Sequence, residues 1–258
     1  RDFFGDDVVL SLAGTTRLDG SLNIDRMQIN AGEIGLGGSL ELDPDRIPTR
    51  MALQGRIASR DGSPVLLPLP GRPTMVEDMR LDVDFDADRG EAWSGEVVMT
   101  GFSRPSFTAE RLALFGGGAI SEEVIGGGSR SRVTGAFDFE ASALDLGNDK
   151  VQQALGQTVT GRMEVAWTEG QPVELQTLRI DGDSYTIDIV GEVAGVGRDL
   201  RVNGAATLSA RDLAAFSGLA GRQVGGAAEL SIIGNGDLLG GRFDVLMTGE
   251  AQDLTLDQ

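Results

Sequence analysis

The chain has 258 residues, 40 acids against 22 bases for a net charge of −18, and neither cysteine nor histidine. Disulfides, thiolate metal sites, His-dependent triads and His-based zinc motifs are therefore excluded. Nucleic-acid binding and simple electrostatic attachment to an anionic membrane both need clustered positive charge, which this balance opposes. The length is enough to bury a sizeable core, as one large β domain or two smaller ones.

The N-terminal stretch RDFFGDDVVLSLAG lacks the basic, apolar and cleavage regions of a signal peptide, and it reads as the start of an excised segment of something longer. No window approaches the roughly 18 consecutive apolar residues of a membrane-spanning helix. From Val8, Leu10 and Leu12 onward, apolar residues fall at alternate positions, which is the pattern of a strand with one buried face.

A short phrase recurs along the chain: glycine, a small or polar residue, then alternating apolar residues. It heads GSLNI at Gly20, GSLEL at Gly38, GRIAS at Gly55 and GEVVM at Gly95. It returns at Gly135, Gly161, Gly191, Gly204, Gly226 and Gly241. Glycine in that position predicts a turn or bulge at each strand entrance. The pattern predicts roughly 18 to 20 short strands of ordinary length. Irregular spacing of the glycines argues against a fixed-period solenoid. Pattern alone leaves two arrangements open, a sandwich with an ordinary core and an open sheet with an unplugged apolar side.

Between these strands, 61–73 (DGSPVLLPLPGRP) contains four prolines and cannot be an interior strand. Its Val65, Leu66, Leu67 and Leu69 suit a loop lying over an apolar edge. Next comes LDVDFDAD, 81–88, where Asp82, Asp84, Asp86 and Asp88 alternate with Leu81, Val83, Phe85 and Ala87. A calcium loop of the EF-hand type needs glycine at its sixth position and glutamate at its twelfth. Starting at Asp82 these are Ala87 and Trp93, and starting at Asp84 they are Arg89 and Gly95. The stretch is expected to be a strand with a wet acidic face.

The triple glycines 116–118 and 126–128 bracket AISEEVI and predict a hinge or mobile loop over 116–130. They lack the Lys-Ser/Thr and strand–loop–helix setting of a phosphate cradle. Two stretches read as short helices. In NDKVQQALGQ, Asn148 can cap and Gly156 can stop; in SARDLAAFSGLAGR, Ser209 or Asp212 can cap, with Gly218 and Gly221 ending the turn. Both are expected to cover an end or edge of a sheet. Gly234-Asn235-Gly236-Asp237 is expected to be a tight turn. Paired carboxylates able to cleave glycosides can always be found among 40 acids, so they point to no reaction.

The C-terminal stretch resembles a segment of TamB-like proteins, the inner-membrane component of the bacterial translocation and assembly module in the AsmA-like superfamily. The resemblance lies in D-L-x-x-F-x-x-L-A-G at 212–221, G-G-x-x-x-L at 225–230, the G-N-G-D motif and the following G-G-x-F-D-V. Residues 27–42 and 178–193 are similar in style. The resemblance implies an all-β fold: a long curled, open β-sheet groove of β-taco type, built from many short alternating strands with one or two short capping helices. The whole of 1–258 would then be a single elongated groove segment, within a periplasmic region of an inner-membrane-anchored protein of a Gram-negative bacterium.

The implied role is non-enzymatic, with no cofactor and no metal. It would be a conduit or scaffold for phospholipid transport and outer-membrane protein assembly. The implied partners are phospholipid acyl chains and an outer-membrane barrel partner of the TamA-like kind, with no nucleic acid and no transmembrane segment in this stretch. The candidate groove lining is Leu22, Ile24, Leu81, Val83, Phe85, Phe137, Phe139, Met163, Val165, Ile187, Ile189, Leu230, Ile232, Phe243, Val245 and Met247. Two other readings stay open. One is a scaffold that captures outer-membrane strands by β-augmentation; the other is a structural or adhesin-like β-helical or sandwich domain with a dry core.

Overall fold

The computed structural model describes residues 8–67, 72–125, 128–195, 201–237 and 242–256. The fold is all-β, a single open antiparallel sheet rather than a sandwich of two. Sixteen strands belong to it among the described residues. They are fewer and longer than predicted, because most of the recurring glycines lie within strands rather than at their entrances.

The chain divides into two compact units, Arg1–Ser121 and Glu122–Gln258. The first holds β1 (Val8–Thr16), β2 (Leu22–Ala31), β3 (Ile34–Leu42), β4 (Pro48–Ala58), β5 (Val65–Leu66), β6 (Met75–Val76), β7 (Asp78–Asp86), β8 (Ala92–Arg104) and most of β9 (Phe107–Ile125). Its strands pair in the order β1-β2-β3-β4-β7-β8-β9, while β5 pairs with β6 and β6 with β8. The second unit continues through β10 (Gly128–Ser142), β11 (Val159–Thr168), β12 (Val173–Asp181), β13 (Tyr185–Ala194), β14 (Arg201–Ala210), β15 (Val224–Asp237) and β16 (Arg242–Leu256), each paired with the next.

Two predicted irregular regions need correcting. Gly116–Gly118 and the residues after them run on as strand to Ile125, and β10 begins at Gly128. The expected loop over 116–130 is thus strand wherever it is described, with 126–127 outside the described residues. Gly234–Asp237 is the last part of β15, paired with both β14 and β16, not a turn. Glycine costs a strand entropy but does not end one when a neighbour supplies the ladder on each side. The proline-rich loop behaves as read: Val65 and Leu67 are buried and Leu66 is exposed, while Leu69 lies outside the described residues. Val65 is paired with the buried Val76 of β6, and on β8 and β9 the paired Phe102 and Ala109 are buried as well, with Phe102 stacked on Phe107 at 5.0 Å.

Two bulges keep the alternation in phase. On β2, Ile24 and Met27 are three residues apart yet face residues only two apart on β3, Leu40 and Gly38. On β12, Leu175 and Leu178 do the same against Gly191 and Ile189 of β13. One extra residue in each strand returns the next apolar side chain to the same face.

Both helices form where predicted. Helix α1 (Asp149–Leu155) is capped by the Asn148 side chain, which accepts from the amides of Lys150 and Val151, and ends at Gly156. A 3-10 turn, Leu213–Phe216, starts with Asp212 accepting from the Ala214 amide, so Asp212 rather than Ser209 is the cap. It leads into α2 (Ser217–Ala220), which ends at Gly221 in the left-handed conformation, with Gly218 inside the helix rather than ending it.

Candidate functional site

In the second unit the ladder registers align apolar residues across seven strands. One row reads Phe137, Met163, Leu178, Ile189, Ala206, Ile232 and Met247, from β10 to β16. Two residues along each strand lies Phe139, Gly161, Ile180, Ile187, Leu208, Leu230 and Gly249. Because side chains alternate between faces, these rows share one face of the sheet. The opposite face carries rows such as Asp138, Arg162, Arg179 and Asp188. Arg162 there is ion-paired with Asp138 and Glu164, and Arg179 with Asp181 and Asp188. That face also carries an apolar strip of Val190, Ala205, Ile233 and Leu246.

The first unit repeats the design. Leu10, Ile29, Leu36, Gly55, Leu81, Val97 and Leu114 form one cross-strand row. Val83 stands between Leu53 and Gly95, and Phe85 between Met51 and Trp93. Ile24 faces Leu40, and Leu22 faces Leu42. Asp82, Asp84 and Asp86 occupy the other face. Asp82 accepts from Gln54, Asp84 pairs with Arg89, and Asp86 pairs with both Arg50 and Arg89. At the turn that follows, Asp88 pairs with Arg50. Asp84, Asp86 and Asp88 are thus paired with arginines, and among the described residues no cluster of acids is arranged to hold a metal ion. Burial alone would raise the Asp86 carboxyl, but the Asp88 amide, Arg50 and Arg89 outweigh it and hold its pKa below the usual value.

The sixteen candidate lining residues thus fall on the apolar faces of the two units. Their exposure differs. Phe85 is only 2% exposed, so it packs under its neighbours, whereas Phe243, Val245 and Met247 on β16 are 53%, 58% and 57% exposed. In the second unit the helices cover one end of the face. Phe216 meets Tyr185 edge to face at 6.4 Å, and Tyr185, Ala210 and Ala154 are buried there. Burial pushes the Tyr185 phenol above its ordinary pKa, with help from Asp183. Beyond Phe216 a cavity of about 400 Å³ remains between the 3-10 turn and Leu208, Leu230 and Ala251.

At the other end of the face lies the feature that the candidate set lacked. Gly191, Gly204 and Gly234 are direct neighbours on β13, β14 and β15, flanked in their row by Leu175 on β12 and Val245 on β16. They floor a cavity of about 320 Å³ walled by Ile189, Val193, Val202, Ile232 and Phe243. A Cβ on Gly191 would lie 2.5 Å from the Asn203 carbonyl oxygen, and one on Gly204 2.6 Å from that of Val190. The close approach of the strands admits only glycine. The signal was present in the sequence as Ile189-x-Gly191-x-Val193, Val202-x-Gly204-x-Ala206 and Ile232-x-Gly234-x-Gly236, but only register shows that the three coincide.

No family model, curated protein or solved structure matches the chain. Among the described residues no helix is long and apolar enough to cross a membrane.

Proposed function

We propose that this chain is a non-enzymatic hydrophobic conduit, a β-groove segment of TamB-like type that carries phospholipid acyl chains between the membranes of a bacterial envelope. The observation that supports this most is the register of apolar rows across seven strands in each unit, on a face whose side chains remain partly open. An acyl chain laid on such rows gains roughly 0.8 kcal/mol per buried methylene. That gain has no direction, so the chain slides along the face without breaking specific bonds. The acidic opposite face, with its arginine–carboxylate pairs, keeps the sheet wet on one side. In this reading the segment is periplasmic and works beside an outer-membrane barrel partner.

The test replaces Phe243 and Val245, both on the exposed apolar face of β16, with arginine. The double variant should lose phospholipid transfer between donor and acceptor vesicles while keeping its β-sheet circular dichroism. Transfer at the wild-type rate by the folded variant would contradict the conduit.

A further inference from the structure

In three strands of the second unit the alternation is interrupted by a large apolar residue where a polar one is due. Val190 follows Ile189 on β13, Ile233 follows Ile232 on β15, and Leu246 lies between Val245 and Met247 on β16. The registers bring these interruptions into one row: Val190 faces Ala205, Ala205 faces Ile233, and Ile233 faces Leu246. The row stands on the face opposite the proposed conduit, with Val190, Ile233 and Leu246 48%, 59% and 65% exposed. Scattered surface hydrophobes need no explanation, but a contiguous row rimmed by polar residues has the form of an interaction site. We infer that this strip docks a partner protein through a basic amphipathic helix laid across the strands.

The partner's chemistry follows from the rims. Two residues to one side, about 7 Å away, the row reads Asp188, Thr207, Ser231 and Thr248. Two residues to the other side it reads Glu192, Asn203, Asn235 and Asp244. Neither rim carries a base from β13 to β16, and Glu192 directly faces a second glutamate, Glu174 of β12. Like charges directly opposite one another destabilise a sheet, and a cation set between them offsets that cost. Asp188 has Arg179 at 3.7 Å, while Arg201 and Arg242 stand one row beyond Glu192 and Asp244, with Asp237 between them.

The dimensions suit a helix. Val190 and Leu246 are three strand spacings apart, about 14 Å, which about ten residues of helix cover. A helix is about 10–12 Å wide with its side chains, so its flanks rest over both rims. Apolar residues at three- and four-residue spacing then meet the strip, and lysines or arginines beside them meet the carboxylates. A second copy of this chain on the strip would bring the same acids against one another, and an anionic membrane surface would meet the same repulsion. The inference does not depend on what occupies the other face.

The test measures binding to the intact chain of a labelled helical peptide of about 14 residues, with leucines repeating at three and four and lysines flanking them. One comparison peptide carries glutamate for every lysine. Another has the lysine peptide's composition in an order without an apolar stripe. The lysine peptide should bind, with both comparison peptides at least about tenfold weaker. Ile233→Thr and Leu246→Thr, which suit an exposed strand, should each weaken its binding about tenfold. The same change at Ile232 or Met247, one residue away and on the other face, should not. Glu192→Gln with Asp244→Asn should slow association and reduce its dependence on salt. No binding, equal binding of the three peptides, weakening only by the Ile232 and Met247 changes, or an unaltered salt dependence would overturn the inference. So would a dimer, or attachment to anionic vesicles, that Leu246→Thr abolishes, because a different occupant would then hold the strip.

Discussion

At the scale of single residues, the central arrangement is glycine held in register rather than glycine at turns. Replacing glycine by alanine inside a strand ordinarily stabilises by about 0.5–1 kcal/mol, because glycine loses more conformational freedom on folding. At Gly204 the sign should reverse, since the new methyl would meet the Val190 carbonyl oxygen. Gly204→Ala is expected to cost about 1–3 kcal/mol in denaturant unfolding. A methyl on Gly161 would likewise meet a carbonyl oxygen of the neighbouring strand, that of Arg179, and the Phe139 ring as well. Charged residues make a second prediction. The folded-state pKa of Asp86 is depressed, so the stability it contributes is complete above the ordinary aspartate value near about 3.9 and is lost as pH falls through the folded value. Melting temperature should therefore drop on acidification below about pH 4, and Asp86→Asn should flatten that drop.

Single elements carry different information. The Asn148 cap satisfies two amides of α1, and Asn148→Ala should destabilise by about 1 kcal/mol, with the loss confined to amide exchange in the helix. Phe216 from the 3-10 turn covers Tyr185, the one tyrosine of the chain. Phe216→Ala should admit water and bring the Tyr185 pKa down towards its ordinary value, read by ultraviolet titration of the chain's one phenol. Both helices were legible because capping chemistry is local: Asn148, Asp212, Gly156 and Gly221 act within a few residues of themselves. The long strand β9 was not, since Gly116–Gly118 looks like a break until β8 supplies Gly95, Ser94 and Trp93 as partners. Gly234–Asp237 reads as a turn for the same reason, until β14 and β16 supply its partners.

Across the whole molecule, alternation specified the all-β class and, within each run free of a bulge, which apolar residues share a face, and LDVDFDAD divided as its letters suggested, with Asp82, Asp84 and Asp86 on one side and Leu81, Val83 and Phe85 on the other. What alternation could not supply is which strand lies beside which, and at what offset. The bulges on β2 and β12 show why: one inserted residue, invisible as a motif, decides whether Leu175 joins the row of Gly191 or leaves it. Openness of the sheet was equally beyond the pattern, because an inward-facing valine reads the same under a second sheet as it does facing an acyl chain.

In the proposed conduit the apolar face is occupied by lipid. The most direct test is mass spectrometry of organic extracts from the chain purified without detergent, beside the Phe243→Arg, Val245→Arg double variant. Phospholipid should accompany the wild-type chain and be depleted from the folded variant. A lipid-free wild-type chain, or equal lipid on both, would contradict it.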